Sequence, residues 1–301
     1  FFFNQILRFA VPLFFMISGF VLELNYPFHQ NYLTYLKKRF NRIFLPYLFW
    51  SAIYYFFVYK THTISFLQSL LTGNASYQLY FIPALLIFYI IFPLIHRYYK
   101  FLAKPKAMIA LGTVELCLLA FDYYINPLPF FYPLSIAVLN FYIFLLGMVF
   151  SHHHKVLFEL IKKWKFILIS LFVVLSFTVF FEGKILYMNT HNYLYVYIQW
   201  RPSILIYTLV VAGLLYAFFN GGNKFYRIIH GLSKLSFFAF FIHVIILELF
   251  WFAIGNNLFH TTGGRFSKFW FDPLFFLSVA ALSYLFAYLI RKIPYLSKIT
   301  G

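Results

Sequence analysis

The sequence is poor in charged residues, above all acidic ones, and it is almost free of cysteine. Only 10% of its 301 residues are charged, and Asp and Glu together number seven. A soluble globular domain carries about 25% charged residues, so this composition excludes an ordinary water-soluble fold. The single cysteine, Cys117, excludes a disulfide framework and a cysteine-rich metal site.

The common motifs of soluble catalysis are also missing. The sequence has no HExxH, no P-loop, no GxGxxG and no GxSxG, so zinc-protease, nucleotide-binding and serine-hydrolase templates are excluded. It shows no internal repeat, low-complexity tract or soluble domain. We therefore expect a single membrane domain over residues 1–301.

Apolar residues dominate instead, with 63% hydrophobic and 26% aromatic residues. Lipid offers the backbone no hydrogen-bond partner, so apolar runs of roughly 17 to 25 residues predict membrane-spanning helices. The predicted fold class is an all-α integral membrane protein, a polytopic bundle of about nine transmembrane helices. The predicted spans are residues 8–24, 43–59, 78–95, 108–124, 132–150, 166–181, 202–219, 235–254 and 273–290.

The basic residues collect in alternate loops, which predicts the orientation of the spans. One side takes 18 of the 24 Lys and Arg residues. These are Lys37, Lys38, Arg39, Arg42, Arg97, Lys100, Lys104, Lys106, Lys155, Lys162, Lys163, Lys165, Lys224, Arg227, Lys234, Arg291, Lys292 and Lys298. This side is predicted to be cytoplasmic, together with the C-terminus. The net charge of +17 then reflects topology, and no nucleic-acid partner is expected.

An ionisable side chain inside a span is costly unless it is paired or solvated, so each one is a functional candidate. Arg8, Glu115, His243 and Glu248 are the main ionisable candidates, and the first three are the candidates for catalysis. Ser236 precedes His243 by seven residues and shares its face of the helix. For His243 and Glu115 a purely structural hydrogen bond between helices stays open as an alternative. Arg201, at the start of a span, is most simply an interfacial anchor.

Lys38, Arg39 and Arg42 form a basic cluster at the predicted cytoplasmic mouth. Two guanidinium groups three residues apart are suited to binding phosphate. Basic residues that only anchor a cytoplasmic loop at the membrane show the same sequence pattern. The run from His152 to His154 lies in a Lys-rich loop with no carboxylate or cysteine nearby in the sequence. We expect no metal site there.

Five segments resemble the acyltransferase-3 family of multi-spanning bacterial membrane O-acyltransferases, in the family's order. They are RFAVPLFFMISGFVL (8–22), KKRFNRIFLPYLFW (37–50), YQLYFIPALLIFYIIFPLI (77–95), FYIFLLGMVF (141–150) and LSKLSFFAFFIHVIILELF (232–250). The first is most similar to the branch of surface-polysaccharide acetyl and succinyl transferases. The resemblance extends over most of the chain.

The resemblance implies transfer of an acyl group, usually acetyl, from cytoplasmic acyl-CoA to a hydroxyl of a cell-surface polysaccharide or lipid-linked glycan. Acyl-CoA would be a co-substrate, with no tightly bound cofactor, and the location would be the bacterial plasma membrane. Arg39 and Arg42 match the family's RxxR motif, associated with acyl-CoA. His243 and Ser236 match its late-helix His and Ser, and Arg8 matches an Arg facing the acceptor pathway.

Two departures from the family pattern matter. The family's first helix carries an Arg and, eleven residues later, the His regarded as catalytic, and no such pair occurs in this chain. We therefore expect a further span upstream, giving ten spans, with the catalytic base on it. Gln78 stands where the family often has a His, and an amide can hydrogen-bond an acceptor hydroxyl but cannot take its proton.

Two alternatives remain open from the sequence. A polytopic exporter of a glycan or lipid-linked precursor would line its pathway with Arg8, Glu115 and His243. Exporters often show repeated halves, which this chain lacks. The 301 residues could also be an inactive remnant of an enzyme.

Overall fold

The computed structural model describes residues 2–26, 31–59, 63–125, 128, 131–191, 198–219, 224–255 and 267–293. No strand occurs among them, and the predicted all-α fold class is confirmed. The helices are α1 (Phe2–Ile6), α2 (Ala10–Leu24), α3 (Tyr32–Arg39), α4 (Leu45–Ile53), α5 (Phe66–Thr72), α6 (Phe81–Arg97), α7 (Tyr99–Leu102), α8 (Pro105–Tyr124), α9 (Tyr132–Val138), α10 (Phe141–Lys163), α11 (Lys165–Thr190), α12 (Pro202–Phe219), α13 (Lys224–Ser233), α14 (Ser236–Phe250) and α15 (Ser267–Arg291). Three π-helical segments, Phe40–Phe44, Tyr54–Val58 and Trp251–Gly255, interrupt or extend them.

Among the described residues, five helical stretches are long and apolar enough to cross a membrane, and a sixth qualifies if one bent pair counts as a single span. The bent pair is α9 and α10, which meet at 47°. Helices α6 and α12 are apolar but shorter, and π-helical segments flank α4. The chain is thus a multi-pass membrane protein, while the total of nine spans stays a prediction.

The sixth predicted span is longer than expected. The sequence pattern ends it at residue 181, just before Glu182 and Lys184, whereas α11 continues to Thr190. The Glu182 carboxylate accepts hydrogen bonds from the hydroxyls of Tyr124 and Ser203. Because its charge is compensated inside the protein, the acidic residue does not end the helix.

The contacts divide the chain into two compact units, which we describe separately. The first unit comprises Phe1–Leu36 and Tyr80–Asn220, and the second comprises Lys37–Leu79 and Gly221–Gly301. In the first unit α2 and α10 pack at very short range. A Cβ atom at Gly19 would overlap the Phe144 carbonyl oxygen, and one at Gly147 would overlap that of Met16. Small residues therefore allow these backbones to touch.

Aromatic rings fill the rest of the first unit's interior. Phe88 of α6 stacks on Phe144 of α10 at 4.3 Å between centroids and lies 5.4 Å from the Phe15 ring of α2. A second buried cluster joins α11 to α12 through Val179 and Tyr207. Together these contacts hold five helices in one bundle.

In the second unit the segment from α4 to the π-helical Tyr54–Val58 packs against α14. The Trp50 indole lies parallel to the Phe241 ring at 6.0 Å and edge-on to Phe238 at 5.4 Å. The Tyr54 hydroxyl donates to the Phe241 carbonyl oxygen over 2.6 Å. These contacts fix the position of α14 relative to α4 and the π-helical segment that follows it.

The connection after Tyr59 folds back onto the same helix. The Tyr47 hydroxyl donates to the Leu70 carbonyl oxygen at 2.5 Å, and the Tyr55 hydroxyl donates to that of Ile64 at 2.8 Å. Ser65 caps α5, and Gly73 ends it with a φ of 77°, a left-handed conformation that favours glycine. The described part of this connection is therefore tied to α4 by Tyr47 and to the following π-helical segment by Tyr55.

Candidate functional site

The second unit contains six of the eight residues that the sequence singled out for chemistry. They are Lys38, Arg39, Arg42, Gln78, Ser236 and His243. Arg8 and Glu115 belong to the first unit. We therefore build the candidate site within the second unit and describe Arg8 and Glu115 separately.

The basic cluster lies where an α-helix passes into a π-helix. Arg39 is the last residue of α3, and Arg42 lies inside the π-helical Phe40–Phe44. Lys38 and Arg42 are exposed, and Arg39 is half-buried. π-helical turns inserted into α-helices are rare overall, but those that occur are often found at functional sites. The three positively charged side chains can bind an anionic ligand at one end of the helical segment that continues through α4 to Tyr54.

His243 lies seven residues into α14, half-buried. Its Nδ1 atom is 2.5 Å from the Phe240 carbonyl oxygen. A carbonyl can only accept a hydrogen bond, so we assign the proton of the neutral ring to Nδ1. Nε2 then carries the lone pair. Phe241, the residue after Phe240, accepts the hydrogen bond from Tyr54, so the two helices meet two residues before His243.

Gln78 is buried, with 6% of its surface exposed. Its Oε1 atom accepts a hydrogen bond from the Ser76 hydroxyl, and the Tyr54 phenol lies beside its side chain. Its Nε2 atom is buried and has no hydrogen-bond acceptor among the residues that the structure describes. An unsatisfied buried donor is expensive and is a natural position for a ligand oxygen.

Ser236 is the first residue of α14 and is exposed. Its hydroxyl donates to the Ser233 carbonyl oxygen at 2.8 Å. Seven residues correspond to about 10 Å along a helix axis, so Ser236 and His243 share a side of α14 without touching. Substrate binding by Ser236 stays a prediction.

Arg8 lies in the turn between α1 and α2 in the first unit. Its Nε atom donates to Asn4 Oδ1 at 3.1 Å, and its Nη1 atom donates to Gln199 Oε1 at 3.3 Å. The guanidinium is thus held by the side-chain amides of Asn4 and Gln199. Its predicted place on an acceptor pathway stays a prediction.

Glu115 is buried in α8, with 3% of its surface exposed. Its Oε2 atom accepts a hydrogen bond from the Tyr142 backbone amide at 3.1 Å. Tyr142 lies in the first turn of α10, where backbone amides have no partner within their own helix. Glu115 therefore caps α10 from a neighbouring helix, at the bend that follows α9. This contact supports the structural alternative for Glu115, and its catalytic assignment stays a prediction.

Arg201 is not the interfacial anchor that its position at a helix start indicates. Its surface is fully buried, and Nη2 donates to Gln5 Oε1 at 2.8 Å. Nη1 lies 3.5 Å from Glu182 Oε2, and the guanidinium lies 5.5 Å from the centre of the Tyr123 ring. Its partners Gln5 and Glu182 are distant in sequence, so no local signal in the sequence reveals the pairing.

Sequence reasoning also missed a carboxylate shared by two histidines. Glu23 of α2 has 2% of its side chain exposed. Its oxygens lie 3.0 Å from His96 Nδ1 and 2.8 Å from His152 Nε2. Packing therefore brings to His152 a carboxylate that is 129 residues away in the sequence. Burial and the Glu23 carboxylate raise the pKa of the Tyr99 phenol, which stacks on His152, to about 12.

Within the described ranges, no group of three or more His, Cys, Asp or Glu side chains has a geometry that could hold a metal ion. This includes Glu23 with its two histidines, whose separations are those of hydrogen bonds. The candidate site is therefore built from hydrogen-bonding and charged side chains.

Comparison with known proteins adds independent information. The family described as Acyltransferase domain matches residues 1–292. A protein of Staphylococcus aureus (strain N315) named as a probable poly-beta-1,6-N-acetyl-D-glucosamine export protein is 24% identical over 261 residues, covering 82% of this chain and 71% of the relative. A protein of Bacillus subtilis (strain 168) named as a candidate membrane-bound acyltransferase, YfiQ, is 25% identical over 271 residues, covering 81% of this chain and 70% of the relative. No solved structure matches the chain significantly.

Proposed function

This chain belongs to the acyltransferase-3 family, and from that membership we propose that it moves an acyl group from cytoplasmic acyl-CoA to a hydroxyl of a cell-surface polysaccharide or a lipid-linked glycan. Acetyl is the expected acyl group. The observation that carries the proposal is that one compact unit holds the RxxR pair, the late-helix His243 and the buried Gln78.

The basic cluster supports binding of the donor. Coenzyme A carries several phosphate oxygens, and guanidinium groups bind such oxygens through paired, charge-assisted hydrogen bonds. Arg39 and Arg42 supply two guanidinium groups, and Lys38 adds an exposed ammonium group. In the proposed complex these side chains hold the phosphates at the cytoplasmic mouth, and the thioester extends along the helix toward Tyr54.

The acceptor hydroxyl needs a base, because an alcohol is a poor nucleophile. A catalytic base takes the hydroxyl proton while the oxygen attacks the thioester carbonyl carbon, and Nε2 of His243 orients that base, holds the acceptor or takes the proton itself. When the tetrahedral intermediate collapses, the carbon–sulfur bond breaks, and the protonated base returns the proton to the leaving thiolate. The products are the glycan ester and coenzyme A. The buried amide of Gln78 donates to the acceptor hydroxyl or to the developing oxyanion.

A matched set of variants tests this assignment. Acetyl transfer from radiolabelled acetyl-CoA to glycan is measured in membranes that contain the full-length protein. Arg39→Ala with Arg42→Ala should raise the KM for acetyl-CoA about tenfold by removing phosphate contacts. The control is Arg97→Ala with Lys100→Ala, an exposed basic pair at the same spacing in the first unit. Equal effects of the two pairs would contradict a donor role for the RxxR motif.

The same assay separates the possible roles of His243. His243→Ala should lower kcat about a hundredfold or more if the imidazole moves a proton. His243→Gln keeps a hydrogen-bonding side chain without a titratable nitrogen, so it should be equally inactive. Recovery of most of the activity by His243→Gln would instead show that His243 only holds the acceptor.

Export of a glycan is the second candidate function, and the names of the staphylococcal relatives favour it. An exporter would support secretion of the polymer in cells without incorporating label from acetyl-CoA. Secreted, unesterified polymer that depends on the protein, combined with no acyl transfer from acetyl-CoA or another acyl-CoA, would favour export. Ester-bound label on the polymer would favour the acyltransferase.

A further inference from the structure

We propose that the cavity beside the π-helical segment Tyr54–Val58 binds one sugar unit of the acceptor glycan, and that it selects a sugar without negative charge. The inference rests on the proposed function and names the part of the acceptor that the second unit recognises. It follows from the shape, chemistry and charge of the cavity, which lies within this unit.

The cavity has a volume of about 690 Å³ and is open to the surface. Sites for small molecules occupy about 300 to 1,000 Å³, so a sugar unit with its linkage fits. Its walls come from the π-helical turn, from Tyr59 and from the connection between residues 63 and 77. The phenols of Tyr55, Tyr59 and Tyr77 line it. Tyr55 belongs to the π-helical turn, and Tyr59 follows it directly in an extended conformation, so two tyrosines from the end of one helical segment line the same space.

The lining suits the two kinds of surface that a pyranose offers. The faces of a sugar ring are apolar C–H surfaces that pack on aromatic rings, and Tyr77 presents a ring that is 59% exposed. The rim of a sugar carries hydroxyls that need both donors and acceptors. The exposed Asn74 amide and the Thr63 and Ser76 hydroxyls supply both.

The inner wall connects the cavity to the reacting groups. Ser76 lines the cavity and donates to Gln78, whose Nε2 atom is buried and unsatisfied among the described residues. The Tyr54 phenol beside Gln78 is bonded to Phe241, two residues before His243. A sugar held against Ser76 would therefore direct a hydroxyl toward the region where the proposed chemistry occurs.

Charge argues against an anionic sugar. None of the described residues that line the cavity is charged. Partial burial raises the pKa of the Tyr77 phenol to about 12, with smaller contributions from the Tyr59 phenol and the Glu248 carboxylate. An anionic sugar would therefore meet no cationic partner on the described walls, and the Glu248 carboxylate would add repulsion.

The described walls are held in place before a ligand binds. Tyr47 and Tyr55 tie the connection to the helix through hydrogen bonds to Leu70 and Ile64, and Ser65 caps α5. A preorganised wall loses little conformational entropy on binding. This supports a recognition site whose shape is set by the fold.

The test compares three variants of the full-length protein with the parent. Tyr77→Ala and Asn74→Ala should each raise the KM for the membrane glycan about tenfold and leave the KM for acetyl-CoA unchanged. Phe57→Ala is the control, because Phe57 is 75% exposed on the same π-helical segment and does not line the cavity. An unchanged acceptor KM in both cavity variants, or an equal rise in the control, would overturn the proposal.

Binding without transfer keeps this inference separate from the proposed function. Purified protein is titrated calorimetrically, without acyl-CoA, with an N-acetylglucosamine tetrasaccharide and with a tetrasaccharide of alternating glucuronate and N-acetylglucosamine. Tighter binding of the neutral probe, weakened by Tyr77→Ala but not by Phe57→Ala, would support the cavity even if no acyl transfer is found. Equal binding of both probes, or no binding of the neutral one, would overturn it.

The charge argument has its own variant. Glu248→Gln removes the carboxylate at nearly constant volume and should reduce the preference for the neutral probe about fivefold, mainly through tighter binding of the anionic one. An unchanged preference in this variant would show that Glu248 does not set the selectivity.

Discussion

Buried polar groups place the strongest constraint on individual residues of this protein, because a charge without a partner is costly away from water. The buried Arg201 guanidinium donates one hydrogen bond to Gln5, and its Nη1 atom lies 3.5 Å from the Glu182 carboxylate. Glu23 is satisfied by two histidines from two other helices. In each case a side chain holds helices together that are distant in the sequence.

Removing the Glu23 carboxylate tests that role. Glu23→Leu leaves His96 and His152 without their shared acceptor and should destabilise the first unit by about 1 to 3 kcal/mol. Glu23→Gln keeps a hydrogen-bond acceptor and should cost less. The measurement is the thermal unfolding temperature of the purified protein in detergent. If both variants unfold at the parent temperature, the carboxylate does not bind the three helices together.

Variants of Glu115 distinguish a helix-capping role of its carboxylate from a catalytic role. Glu115→Gln keeps an oxygen for the Tyr142 amide and should retain both stability and acyl transfer, whereas Glu115→Leu leaves that amide unsatisfied and should cost about 1 to 3 kcal/mol. Unfolding temperature and transfer rate are measured on the same preparations. A stable Glu115→Gln variant without activity would show that the carboxylate takes part in the reaction.

At the scale of helices, small residues decide how closely two elements approach. Gly19 and Gly147 let the backbones of α2 and α10 touch, and this pair carries both Glu23 and His152. The three π-helical segments of the described chain all lie in the second unit, and two of them carry or border candidate site residues. Close packing and irregular turns are thus concentrated in different units.

Gly147→Ala should disrupt the packing of α2 against α10, because the new methyl group would overlap the Met16 carbonyl oxygen. This oxygen belongs to the backbone, so it cannot rotate out of the way as a side chain can. We expect a loss of about 3 kcal/mol or more. Gly213→Ala is the matched control, since its methyl group would meet only side chains at ordinary distances, Leu168 at 3.5 Å and Ile161 at 4.0 Å. Size-exclusion profiles and unfolding temperatures of the two variants are compared. Similar behaviour of both would contradict the close approach.

At the scale of the whole molecule, the uneven placement of basic residues predicts which loops face the cytoplasm, and with them the C-terminus. The donor site and the cavity should then lie toward opposite faces of the membrane, as transfer from acyl-CoA to a surface glycan requires. Because orientation relative to a membrane is set during insertion, it needs a measurement in cells.

Single cysteines report that orientation. In a Cys117→Ser background, a cysteine is introduced by Gln68→Cys in one variant and by Lys100→Cys in another, both at exposed positions. A membrane-impermeant maleimide should label the Gln68→Cys protein in intact cells and the Lys100→Cys protein only after permeabilisation. The reverse pattern would invert the predicted topology.

Composition and hydropathy along the chain were enough to specify an all-α membrane protein, and the resemblance of five segments to a known family indicated the family and the order of the candidate site residues. Those properties depend on local hydropathy and on short motifs such as the one ending at Arg42, which are readable without knowledge of contacts. They also predicted the approximate helix positions, although not the extension of α11 past Glu182, which depends on partners elsewhere.

The partners of buried polar groups could not be read in this way, because they come from packing between helices far apart in the chain. Gln5 and Arg201 are separated by 196 residues, and Glu23 and His152 by 129. The bend before α10 and the cavity beside the π-helical segment Tyr54–Val58 could not be predicted from the sequence either. The walls of this cavity meet only because the connection between residues 63 and 77 folds back onto the helix. Hydrophobicity selects the spans, while close packing and the cost of unpaired polar groups select which side chains meet.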